Sequence, residues 1–211
     1  MKKNIIVTII ALLTLTFISC QDESEKIVQD TSQNFLKNSP VANLILRTTQ
    51  YPTSNDNILD GTSCFGVQLP VTVTVNGQQI VVANQSGYQT VKNVIDQYLN
   101  DDDIVNFNFP ITIIFPNFTT QTIQNSNNFQ AVLNACGQDN GINEIDCINI
   151  VYPLTMNVYN SNNQIANTVT VTNNNNLYNF ISNISPTTIL SIIYPISVIN
   201  SNGQAVTVNS N

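Results

Sequence analysis

In this 211-residue sequence the side chains able to do chemistry are mainly carboxylates, because the chain has no histidine. Two runs concentrate them: Asn100-Asp101-Asp102-Asp103, and Asp139-Asn140-Gly141-Ile142-Asn143-Glu144-Ile145-Asp146. Oxygen-rich side chains on a glycine-containing loop suit Ca²⁺, a hard cation that takes roughly six to eight oxygen ligands. Asp101, Asp102, Asp103, Asp139, Glu144 and Asp146 are therefore the candidate calcium ligands, although their spacing departs from the EF-hand loop. The same acids offer a second chemistry, the paired carboxylates of glycoside hydrolysis. The plainest reading makes them solvated connectors that aid solubility.

Other catalytic routes close. Without His the commonest general base and the usual triads are missing. No G-x-S-x-G elbow and no G-x-x-x-x-G-K phosphate loop occurs, and the chain has only seven Gly. Its four Cys are Cys20, Cys64, Cys136 and Cys147, with no C-x-x-C spacing, which leaves no basis for a zinc site. Cys64 and Cys147 each stand six residues before a proline, where two parallel segments have Ile104 and Ile189. Interchange with Ile marks that position as apolar and inward. A Cys136–Cys147 disulfide, which would close the acidic 139–146 loop, is the alternative to buried thiols.

The elements that must position these groups follow from a repeated phrase. CFGVQLPVTVTVNGQ (64–78), IVNFNFPITIIFPN (104–117), CINIVYPLTMNVYN (147–160) and ILSIIYPISVIN (189–200) align on Pro70, Pro110, Pro153 and Pro195, spaced 40, 43 and 42 residues apart. Four matches at near-constant spacing indicate an internal repeat. Each copy reads as a hairpin. Val71, Val73 and Val75 alternate with Thr72 and Thr74, and Asn76-Gly77 supplies a type I′ turn. The last copy repeats this with Asn202-Gly203, and 164–172 is the expected return strand of the third.

Helical candidates precede each hairpin. SPVANLILRTTQ (39–50) has Ser39 as N-cap and Pro40 at the first helical position. In YQTVKNVIDQYLN (88–100), Val91, Val94, Ile95 and Tyr98 form an amphipathic stripe. Segments 127–136 and 175–184 are shorter candidates. The chain thus reads as four helix–hairpin (αββ) units, about 39–83, 88–125, 127–172 and 175–209. Together they give an α+β body of antiparallel sheets with helices on one face, arranged as two pseudo-halves.

Composition bounds the partners. Hydrophobic residues reach 42% while charged ones are only 9%, and about a sixth of the chain is Asn, so the polar surface is built from amides and hydroxyls. If residues 1–19 are removed, four cations face thirteen acids, a net charge of −9. Such a chain repels phosphate backbones, so no nucleic-acid partner is expected. Thr and Asn ladders on the strand faces read as ordinary exposed strand residues.

The N-terminus, MKKNIIVTIIALLTLTFISCQDESE, has two lysines, then an apolar stretch too short to span comfortably and suited to a signal peptide over 1–19. Phe17-Ile18-Ser19-Cys20 resembles the lipobox of bacterial lipoproteins, with Phe17 where Leu is usual. The tract Gln21-Asp22-Glu23-Ser24-Glu25 resembles that of surface-exported lipoproteins of the Bacteroidota. This resemblance implies lipidation at Cys20, a membrane partner reached through that lipid, and an outer-membrane location facing outward, with the periplasmic face as the alternative. Residues 20–38 read as a tether. The expected role is non-enzymatic binding or scaffolding of an unknown protein or glycan. The alternatives are a carboxylate-based glycan hydrolase and an accessory subunit of an outer-membrane transporter.

Overall fold

The computed structural model describes residues 33–97, 103–136 and 144–211. Within them the chain is an α+β body of small antiparallel sheets and five helices. Its order is β1 (Asn34–Leu36), α1 (Pro40–Thr49), α2 (Asn57–Asp60), β2 (Gly66–Val67), β3 (Val71–Val75), β4 (Gln78–Val82) and α3 (Gly87–Ile95). Then come β5 (Val105–Phe107), β6 (Ile111–Ile114), β7 (Thr120–Ile123), α4 (Ser126–Cys136), β8 (Ile148–Ile150), β9 (Leu154–Tyr159) and β10 (Ile165–Val171). The chain closes with α5 (Asn174–Asn183), β11 (Ile189–Ile192), β12 (Ile196–Asn200) and β13 (Ala205–Val208). Among the described residues no helix is long and apolar enough to cross a membrane.

Pro70, Pro110, Pro153 and Pro195 each follow a cis peptide bond and each separate a short strand from a hairpin. That short strand departs from the expected helix–hairpin unit, and its partner lies in another segment. β2 pairs with β6 and β5 with β3, while β8 pairs with β12 and β11 with β9. The segments therefore exchange strands in two reciprocal pairs. One hydrogen bond marks the symmetry: the N–H two residues before each proline donates to the carbonyl two residues after its partner's proline. It joins Gln68 to Thr112 (2.8 Å), Asn108 to Thr72 (2.9 Å), Val151 to Ser197 (2.9 Å) and Ile193 to Thr155 (2.9 Å).

The alternation read in the sequence is the alternation of burial. Val71, Val73 and Val75 are buried and Thr72 and Thr74 are not, each Val contributing roughly 1.5–3 kcal/mol of transfer free energy. The strand exchange gives each half its own core. Val73, Val75, Phe107, Ile111, Ile113 and Ile123 belong to the first, and Leu154, Met156, Val171, Leu177, Ile181 and Leu190 to the second. Phe129 of α4 packs against the first core, with its ring centroid 5.1 Å from Phe107 and 5.9 Å from Phe65.

Helix α1 was expected to serve the hairpin that follows it. It packs instead in the second core, where Ala42 is fully buried beside Val41, Ile45 and Leu46. The reason is coverage: the β3–β4 hairpin already carries α3 with its buried Val91. The helix that covers a hairpin follows it in the chain, and α1 lies against α5 and β8 at the far end. The body also begins before residue 39. Within the expected tether, β1 pairs with β11, and Lys37 Nζ donates to the carbonyls of Ser182 and Ile184 (3.2 Å to the latter) at the end of α5. Asn211 closes the ring, its N–H donating to the Gln33 side-chain oxygen at 2.6 Å.

Candidate functional site

Among the described residues the acids singled out from the sequence do not gather. Asp101, Asp102 and Asp139 lie outside the described residues, as does Cys20. Asp103 is exposed and accepts from Asn76 Nδ2 at 3.1 Å, and Asp146 is exposed as well. Among the described residues no group of three or more His, Cys, Asp or Glu is placed to hold a metal ion. Cys147 is an exposed free thiol, so the bridge to Cys136 is not formed, and the inward position read for Cys147 is a surface one. Cys64, the other thiol at that position, is half-buried against the first core, as expected.

Glu144 is the exception. Its Oε2 accepts from the Thr53 N–H (3.1 Å) and hydroxyl (3.3 Å), pinning the chain that enters β8 to the segment after α1. Beside it are two acids that sequence reasoning passed over, Asp56 at 3% exposure and Asp60 at 8%. Their i, i+4 spacing around the apolar Ile58-Leu59 was the one available signal. Asp56 accepts from the Val67 N–H, and Asp60 Oδ1 accepts from the Thr62 N–H at 3.1 Å. Asp60 Oδ2 has no hydrogen-bond partner.

Burial sets their protonation. Desolvation, with the Asp56 charge second, pushes Asp60 up to about 8. Desolvation also raises Asp56 to about 6, against the Val67 hydrogen bond that favours its ionised form. Tyr88 is driven to about 12 by burial and then by Asp56. Tyr51 crowds the same place: a Cβ on Gly66 would stand 2.8 Å from its ring and 3.3 Å from Asp56 Oδ1. Between the two acids, Ile58 and Leu59 carry α2 into the first core.

The open space is elsewhere, in a cavity of about 920 Å³ between elements of the two cores. Phe115, Val132, Ala135 and Cys64 form its apolar floor, continuous with the first core through Phe65, whose centroid is 6.3 Å from that of Phe115. Gln121 of β7, Gln124 just after it and Asn128 of α4 supply amides, while Gln50 at the end of α1 and Tyr178 in the middle of α5 close it. Among the described residues no Lys, Arg, Asp or Glu lines it. Gln50 and Tyr178 also line an adjoining cavity of about 530 Å³, which reaches Lys37 and Arg47.

No family model, curated protein or solved structure matches this chain. The site is therefore read from its own residues. The rim owes its shape to the β6–β7 turn. Pro116 accepts from the Tyr51 N–H at 2.9 Å, and Phe118 sits between two rings, 6.0 Å from Tyr51 and 5.8 Å from Tyr178. Asn117 Oδ1 accepts from the Thr119 N–H at 3.0 Å and holds the turn.

The polar strand faces, by contrast, satisfy themselves. Thr155 and Thr170 hydroxyls meet at 3.2 Å across β9 and β10, and the Thr168 hydroxyl donates to Asn157 Oδ1 at 3.0 Å. They offer a ligand little that is not already paired.

Proposed function

We propose that this is a non-enzymatic binding or scaffolding protein, held on the outer membrane by lipid on Cys20 and displaying its 33–211 body toward the cell exterior. The observation that carries the binding role is the aromatic-rimmed cavity between the two cores, uncharged among the described residues, which has the size and mixed lining of a ligand pocket. The lipobox-like Phe17-Ile18-Ser19-Cys20 and the acidic tract after it support the anchor and the outward face. A carboxylate-based hydrolase needs two acids facing one cleft. Asp103 and Asp146 are exposed and do not line the cavity, and Asp56 and Asp60 are buried, which favours binding over turnover.

We also read the body as four copies of one unit, each a short strand, a proline, a hairpin and a helix, with α1 standing in as the fourth helix. Reciprocal strand exchange joins the copies in pairs, and the cavity lies where one pair meets the other. A unit that shares its sheet with a neighbour cannot bury its own apolar face alone, which is the usual logic of repeat proteins.

Feeding cells an alkyne-tagged fatty acid tests the anchor. The wild type should carry the label and fractionate with membranes, whereas Cys20→Ser should lose both. Label persisting on Cys20→Ser would refute the anchor. Asp103→Asn combined with Asp146→Asn should leave ligand binding unchanged, and a hydrolytic activity abolished by this pair would replace the binding role with the enzymatic one.

A further inference from the structure

We propose that the cavity between the two cores binds an uncharged saccharide, whose hydroxyls would be read by the amides of Gln50, Gln121, Gln124 and Asn128 and whose ring face would rest on Tyr178. The inference rests on the binding role argued above and names the ligand class for the same site.

Charge is the first ground. Among the described residues no ionised side chain lines the cavity, so an anion or cation entering it would leave water without gaining a partner from them. The protein's own excess of acids adds a field that repels anions.

The second ground is hydrogen-bonding capacity. Each side-chain amide carries two donors and a carbonyl acceptor, which matches a hydroxyl's ability to give and receive. Among the described residues the side chains of Gln50, Gln121, Gln124 and Asn128 make no hydrogen bond to protein. Four amides with that capacity line one concavity.

The third ground is shape. Phe115, Val132 and Ala135 give the floor an apolar surface, and Tyr178 gives the side an aromatic one held edge-on by Phe118. Saccharides have apolar C–H faces and polar edges, and this cavity has both kinds of wall. The adjoining cavity shares Gln50 and Tyr178 but is lined also by Lys37 and Arg47, so the neutral site is the first cavity alone.

Titration calorimetry on the intact lipoprotein, solubilised in a detergent without a sugar headgroup, tests this. The probes are the neutral hexasaccharides of maltose, cellulose, xylan, mannan and laminarin types, with hexagalacturonate as the anionic control. At least one neutral series should bind, and Tyr178→Ala should weaken it about tenfold or more. Ala135→Phe, which fills the cavity from an exposed helix position, should abolish binding while leaving the melting curve in place. No binding by any neutral hexasaccharide, or binding indifferent to both variants, would overturn the inference. Binding of hexagalacturonate alone, lost in the same variants, would overturn the ligand class but keep the cavity as a binding site. Loss of the binding role itself would appear differently, as hydrolysis of a bound sugar.

Discussion

The ring of Phe118 meets the ring of Tyr178 at 5.8 Å with planes 61° apart, and Phe118 does so from a backbone with φ of +64°. Three hairpins share this turn. Phe118, Asn163 and Gly203 each donate their N–H to the residue three before them, and each has positive φ. Glycine and asparagine tolerate that conformation, whereas a bulky residue pays about 1–2 kcal/mol. Phe118 is thus held where its backbone is least comfortable, with its ring between Tyr51 and Tyr178 at the cavity rim.

Phe118→Gly should separate the two effects. Relief of the turn offsets lost ring contact, so the melting temperature should move by less than about 3 °C. Saccharide affinity should nevertheless fall several-fold as Tyr178 loses its support. Calorimetry and a thermal melt on one sample check this, and unchanged affinity would leave Phe118 a structural residue only.

Acidity should stabilise the body. The folded forms of Asp56 and Asp60 hold their protons to about 6 and about 8, well above the ordinary carboxylate range they show when unfolded. Between those limits the folded state binds more protons than the unfolded one, so stability is present at low pH and is lost as pH rises. The melting temperature should fall from pH 5 to pH 8.5, and Asp60→Asn, which keeps the oxygen that accepts from Thr62, should flatten most of that fall. A profile that rises over this window would contradict the burial argument.

Lys37 ties the entry of the chain to the end of α5 through two carbonyls. A cation at a helix C-terminus contributes roughly 0.3–1 kcal/mol. Lys37→Ala should therefore lower the melting temperature by about 1–4 °C. Amide exchange should quicken at the end of α5 while β3 to β6 keep their protection, because the two cores are separate.

Gly66 is needed for closeness rather than for turn geometry. Gly66→Ala would force Cβ to within 2.8 Å of the Tyr51 ring and 3.3 Å of Asp56 Oδ1. The expected loss is about 1–3 kcal/mol, since the ring, which meets Phe118 edge-on at 6.0 Å, must shift to make room. Chemical denaturation measures it directly.

The hairpins were legible because their signals are local. Alternating Val and Thr, Asn-Gly turns and the recurring prolines fix β3–β4, β6–β7, β9–β10 and β12–β13 to within a few residues. The two-to-four-residue strands before each proline were not legible, since a strand as short as Gly66–Val67 has no period and gains its identity from a partner some 45 residues away. The far-end docking of α1 was hidden for a related reason: its Val41–Leu46 stripe says that it is buried, not against what. At the site, local composition pointed to the acidic loops, which are densest in charge. The cavity is made of Gln, Asn, Ala and Tyr drawn from both halves, ordinary residues whose meaning lies in their meeting.

Protease shaving of intact cells tests most directly that this body is displayed at the surface on a lipid anchor. Proteinase K added outside should remove the 33–211 body from wild-type cells while a soluble periplasmic marker survives. Persistence of the body until the outer membrane is opened would place it on the periplasmic side and contradict the account.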